Sequence, residues 1–153
     1  MHPGKLEKSE WIAAVGGLLL GFCVFMPWYR LDPETGNALL AGVREGSVSA
    51  WEAHSFLRWL LLAAAVAPLI LFYIVLRDHE LSWPRGEMTA VVAIAAFGII
   101  GYLGVIDRPG TPPSEISLAW GWFGAMAGVI LMAVGGGMRA GGTERPRKPP
   151  GVL

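Results

Sequence analysis

Four apolar stretches without a charged side chain, at 11–28, 59–76, 88–106 and 116–138, limit what this chain can fold into more than any other feature. Each is close to the roughly 20 residues a helix needs to cross the hydrocarbon core of a bilayer. The runs are continuous and do not alternate apolar with polar residues, so a β-barrel pattern is excluded. The expectation is an all-α membrane protein, a bundle of four transmembrane helices at about 11–28, 50–76, 88–106 and 116–138. Residues 1–138 then make up the membrane domain, and 139–153 a disordered basic tail.

Composition agrees. Charged residues make up 16% of the chain and hydrophobic ones 54%, with a formal net charge of zero. A soluble domain carries about 25% charged residues, so this chain has too little charge to wet a globular surface. A cytosolic enzyme, a basic nucleic-acid binder and a wholly disordered chain are excluded on that ground. The single cysteine, Cys23, rules out an intrachain disulfide and a cysteine-based metal framework.

Lys5 and Lys8 ahead of the first apolar run imitate a secretory signal. The run ends in Phe25-Met26-Pro27-Trp28-Tyr29, which offers no small-x-small cleavage site, so a retained helix is expected. Phe22 before Cys23 likewise argues against a lipoprotein signal, since a small residue belongs there. Orientation follows from the basic residues. With the N-terminus inside, Lys5, Lys8, Arg77, Arg85, Arg139, Arg145, Arg147 and Lys148 fall inside, and Arg30, Arg44, Arg58 and Arg108 outside. The excess predicts an N-in/C-in topology.

Helix ends carry local signals. Ser49 and Glu52 have capping-box spacing, so the second helix should start near Ser49 and enter the bilayer around Trp59. Pro68 removes a hydrogen bond inside that helix, and a kink is expected. Pro112-Pro113-Ser114-Glu115 should open the fourth helix. The outer loop holds the turn cluster Asp32-Pro33-Glu34-Thr35-Gly36-Asn37 between Tyr29-Arg30-Leu31 and the run 38–43, which leaves room for a small hairpin on the membrane surface.

Ionisable groups inside a membrane are the usual pointer to chemistry, and the four apolar runs have no Asp, Glu, Lys, Arg or His. The chain has one Asn, Asn37, and no Gln. A proton-coupled carrier needs a titratable group near midplane, and an ion path needs polar lining. The histidines His2, His54 and His79 fall on different sides of the membrane or at the N-terminus, so a bis-histidine haem is not expected. No catalytic residue, metal ligand or cofactor is assigned.

The one charged constellation is on the outer side. Trp51, His54 and Arg58 share a helical face, while Asp107 closes the third helix and Glu115 opens the fourth. Arg58 paired with Asp107 or Glu115 would make a cleft for a headgroup or small anion. The plainer alternative is a snorkelling arginine beside capping acids. Trp28, Trp51, Trp59, Trp120 and Trp122 also fall outside, against Trp11 and Trp83 inside, more than an aromatic belt requires.

Small residues set the packing expectation. Ala13, Gly17 and Gly21 recur at four-residue spacing in the first helix, as do Gly124 and Gly128 in the fourth; Gly98, Gly101 and Gly104 mark the third. Contact between the first and fourth helices through Gly17/Gly21 and Gly124/Gly128 is predicted. The same faces could instead build a homo-oligomer.

Pro27-Trp28-Tyr29 closing the first helix and Ser49-Ala50-Trp51-Glu52-Ala53 opening the second resemble a pattern in small four-helix integral membrane proteins of high-GC bacteria whose role is uncharacterised. That resemblance implies a plasma-membrane location and transfers no functional residue. The expected function is a non-enzymatic accessory or assembly subunit of a membrane complex, its partners the lipid bilayer and another membrane protein or a second copy. The alternative is lipid or small-solute handling through an outer aromatic cleft.

Overall fold

The computed structural model describes residues 7–31, 39–40, 42, 46–77 and 85–142. His2, Lys5, the turn cluster at 32–37, His79, Trp83 and the tail from 143 on lie outside the described residues. In chain order the elements are α1 (Lys8–Val24), β1 (Pro27–Leu31), β2 (Ser47–Ser49), α2 (Ala50–Ala53), α3 (Leu57–Leu76), α4 (Arg85–Val105), a 3-10 turn (Pro113–Glu115), β3 (Ile116–Leu118) and α5 (Trp120–Gly142). Three helices are long and apolar enough to cross a membrane: Leu57–Leu76, Gly86–Val105 and Trp120–Gly141. The 17 residues of α1 pack along α5 and α3.

Large apolar side chains cover the outside of the bundle. On α1 the exposed residues Trp11, Val15, Leu18 and Phe22 follow helical spacing and form one stripe. Val91, Ile94 and Phe97 do the same on α4, and Phe123, Ile130 and Val134 on α5. Such a surface suits lipid and would not stay dispersed in water. This is a mostly helical protein of multi-span membrane character.

The all-α expectation needs correction. The strands form a three-stranded antiparallel sheet in the order β2-β1-β3. The first helix stops at Val24, four residues short of the expected 28, because Pro27 has no amide proton to continue it. The Trp28 indole then donates at 2.7 Å to the Cys23 carbonyl, which also accepts from the Met26 amide at 3.1 Å. At the other edge, 116–118 is β3 and not helix, so α5 begins at Trp120 and continues through Arg139 to Gly142. The hairpin's second strand is Ser47–Ser49, while Leu39 bridges to Thr111.

Period-two alternation gives the sheet two faces. Tyr29, Leu31, Val48 and Ile116 are buried against the bundle. Arg30 pairs across the sheet with Ser47 on one side and Ser117 on the other, and all three are exposed. The Ser117 hydroxyl donates to the Arg30 carbonyl at 3.1 Å. A register shift between Pro27 and Tyr29 lets Trp28 and Tyr29, successive residues, both turn inward.

Around the bundle the helices run α3, α1, α5, α4, with only slight contact between α3 and α4. The α1–α5 seam is the most extensive. A Cβ at Gly16 would lie 2.5 Å from the Gly128 carbonyl oxygen, and one at Gly128 would lie 2.8 Å from the Gly16 oxygen. Only glycine permits backbones this close. The predicted contact therefore exists with a different first-helix face. Gly17 turns instead toward α3, where a Cβ would meet the Ala65 oxygen and the Pro68 ring at 2.6 Å. Gly21 has only an ordinary 3.5 Å neighbour, the Ala65 side chain. Helix α3 runs as one helix from Leu57 to Leu76 with Pro68 inside it. Gly86 and Gly136 make the corresponding close approach between α4 and α5.

Candidate functional site

The five residues singled out from sequence all lie at the sheet end of the bundle, but in separate surroundings. The Ser49–Glu52 capping box forms as expected. The Glu52 amide donates to the Ser49 hydroxyl at 3.3 Å, and the Ser49 amide donates to the Glu52 carboxylate at 3.0 Å. The Ser49 amide, and then the Ser49 hydroxyl donating to the same carboxylate at 2.9 Å, lower the pKa of the exposed Glu52 carboxyl. The helix then breaks at His54, which is extended, before α3 starts at Leu57. Trp51, His54 and Arg58 consequently do not share one helical face.

The break folds Arg58 back over Trp51. Its Nη1 donates to the Trp51 carbonyl at 3.2 Å. Its guanidinium carbon sits 4.5 Å from the Trp51 ring centroid and 5.7 Å from that of Trp59. The two indoles meet edge-on at 5.2 Å, and Phe25 packs on Trp51 at the same separation. Among the described residues Arg58 forms no ion pair with Asp107 or Glu115. Glu115 lies in the 3-10 turn, half-exposed.

His54 takes the opposite direction, into the sheet. Its Nε2 lies 2.9 Å from the Tyr29 hydroxyl, which donates to the Leu103 carbonyl at 3.2 Å. A carbonyl can only accept, so both bonds form together when neutral His54 carries its proton on Nε2. Burial pushes the His54 pKa down, and the nearby Asp107 charge partly opposes this. Tyr29, with no exposed surface, is driven well above the usual phenol range by burial first and Asp107 second, with Arg108 acting against both. Asp107 is exposed, and its charge acts on His54 and Tyr29 without a direct bond to either among the described residues.

Tyr29 and Arg108 are the residues sequence reasoning missed here. Arg108 donates from Nε to the Gly104 carbonyl at 2.7 Å and from Nη1 to the Ile116 carbonyl at 2.8 Å. It ties the C-terminus of α4 to the edge of β3. A cation four residues beyond Gly104, at a helix C-terminus, was the available signal. Trp122 fills the space over Gly104, and its indole donates to the Ile100 carbonyl at 2.9 Å.

At the opposite end, Arg139 of α5 pairs with Glu10 of α1. Both charges are largely shielded, their side chains 19% and 7% exposed. The Glu10 carboxylate also accepts from the Glu7 amide at 3.1 Å. Sequence reasoning counted Arg139 in the tail and gave Glu10 no role, and so did not connect them. The pair borders a cavity lined by residues of all four long helices, among them Ser9, Pro68, Phe72 and Thr89. Its volume of ≈ 20 Å³ is that of about one water molecule.

Chemically, the sheet end offers one hydrogen-bonded tyrosine–histidine pair and one arginine held against two touching indoles. Among the described residues no group of three His, Cys, Asp or Glu side chains could hold a metal ion. The chain matches no protein-family model, no curated protein and no solved structure.

Proposed function

We propose that this chain is a four-span, N-in/C-in protein of the plasma membrane that acts as an accessory or assembly subunit of a membrane complex, with its sheet as the docking face on the outer surface. The two-faced sheet is the observation that supports this reading most. Its inner face is fixed to the bundle by Tyr29, Leu31, Val48 and Ile116, while the row Ser47–Arg30–Ser117 faces away. A rigid polar platform on apolar helices suits recognition of another protein's extramembrane part. The exposed stripe on α1 supports counting it as the fourth span.

An open aromatic cleft for lipid or solute handling has less support. Trp28 is fully buried, Trp122 is packed over Gly104, and Trp51 and Trp59 pack on each other with the Arg58 guanidinium laid against both.

Two measurements test the proposal. A photo-crosslinking residue at Ser117 should give one discrete protein adduct in cells, whereas one at lipid-facing Ile94 should not. Equal adducts at both positions, or none at Ser117, would remove the docking role. For orientation, an impermeant thiol reagent on intact cells should label Ser114→Cys, exposed on the same loop as Gly110, and leave Gly142→Cys untouched. Labelling of the second would overturn N-in/C-in.

A further inference from the structure

We propose that Arg58 binds the phosphate of an outer-leaflet phospholipid, with Trp51 and Trp59 holding its guanidinium in place. The inference rests on reading α3 as a membrane span. A guanidinium at the apolar boundary needs a counter-charge, since an uncompensated charge there is costly. The described residues supply none. The neighbouring carboxylates do not reach it: Glu52 is bonded to Ser49, and neither Asp107 nor Glu115 forms an ion pair with Arg58.

The arginine itself is under-satisfied. Nη1 has its bond to the Trp51 carbonyl and Nε is buried without a hydrogen-bond partner, so Nη2, unbonded and not buried, is the nitrogen left to meet a phosphate oxygen. The indole faces stabilise the cation without neutralising it. The surface around Arg58 belongs to lipid: Phe56 is 70% exposed, Trp59 56% and Leu60 42%. The other described cations at this end stand differently. Arg108 is occupied by two backbone carbonyls, and Arg30 stands on the polar face of the sheet. What remains to balance Arg58 is the membrane, whose phosphate layer lies at the boundary that exposed tryptophans prefer. A planar fork suits a tetrahedral phosphate oxygen pair better than a point charge does.

The test uses the full chain, delipidated in mild detergent. Phosphatidylglycerol and diacylglycerol with identical acyl chains are added separately, and bound lipid is counted by native mass spectrometry. Wild type should retain phosphatidylglycerol over diacylglycerol. Arg58→Gln should weaken that retention about fivefold, the effect of one charge near the headgroups. Lys8→Gln, exposed at the opposite end of the bundle, should leave it unchanged, and Arg58→Lys should keep part of it should the glutamine variant fail to fold. Equal retention of the two lipids by wild type, or an undiminished preference in Arg58→Gln, would overturn the site. Inorganic phosphate at millimolar concentration should not displace the lipid; displacement would assign the site to a free anion instead. Release of the chain from membranes by alkaline carbonate would sink the spanning reading itself, separately from the result at Arg58.

Discussion

Tyr29 has one phenolic proton and two neighbours within bonding range, and that shortage defines the chemistry of the sheet end. Its proton goes to the Leu103 carbonyl, so His54 must donate to its oxygen. The neutral imidazole satisfies this, and burial favours the neutral form by lowering the His54 pKa from its usual 6.5. The folded chain therefore takes up this proton less readily than the unfolded one. The contribution to stability is complete above about pH 6.5 and is lost as the pH falls through the depressed folded value. Thermal melts should show Tm falling on acidification below about pH 6.5 in wild type, and falling less in His54→Gln, which keeps a donor but cannot titrate. An equal fall in the variant would locate the titrating group elsewhere. Sequence placed His54 at this end of the chain, but its partner was hidden. A tyrosine in a short strand gives no sign that a histidine on another element will meet it.

At the scale of elements, the close approach of α1 and α5 turns on a single residue of register. Gly17 and Gly21 repeat at four residues and looked like the contact face; the backbone of α5 meets Gly16 instead. Spacing identifies a small-residue stripe but not which neighbour it faces, since α1 packs on α3 and α5 at once. Gly17 serves the other neighbour. Gly16→Ala should therefore lower stability by about 1–3 kcal/mol, because its Cβ would press on backbone atoms that cannot move aside alone. Gly98→Ala, with open space around it, should be neutral or stabilising through better helix propensity. Thermal unfolding in detergent compares the two, and a Gly16→Ala protein as stable as wild type would rule out the tight seam. The sheet was equally illegible in part. Ile116–Leu118 joins an uninterrupted apolar run in sequence, and only pairing with β1 tells strand from helix there.

In the whole molecule, the two ends of the bundle are closed by different means. One carries the sheet. At the other, Glu10 in the first turn of α1 meets Arg139 in the last turn of α5, each also favoured by the dipole of its own helix. Glu10→Gln or Arg139→Gln should cost about 3–5 kcal/mol, because either leaves a shielded charge unpaired. The double variant Glu10→Gln/Arg139→Gln should recover much of that loss. Failure to recover, with both single variants mild, would mean the pair does not join the helices. The multi-span character of the protein was determined by the sequence alone, because long uncharged apolar runs leave a helix no other solvent than lipid. The Ser49–Glu52 cap was also local enough to read, its partners lying three residues apart. Tertiary structure decided the rest: where α1 stops, that 116–118 is a strand, which glycine faces which helix, and which charges meet. Each of those depends on groups distant in sequence, Glu10 and Arg139 most of all, and only the packed chain brings them within reach of one another.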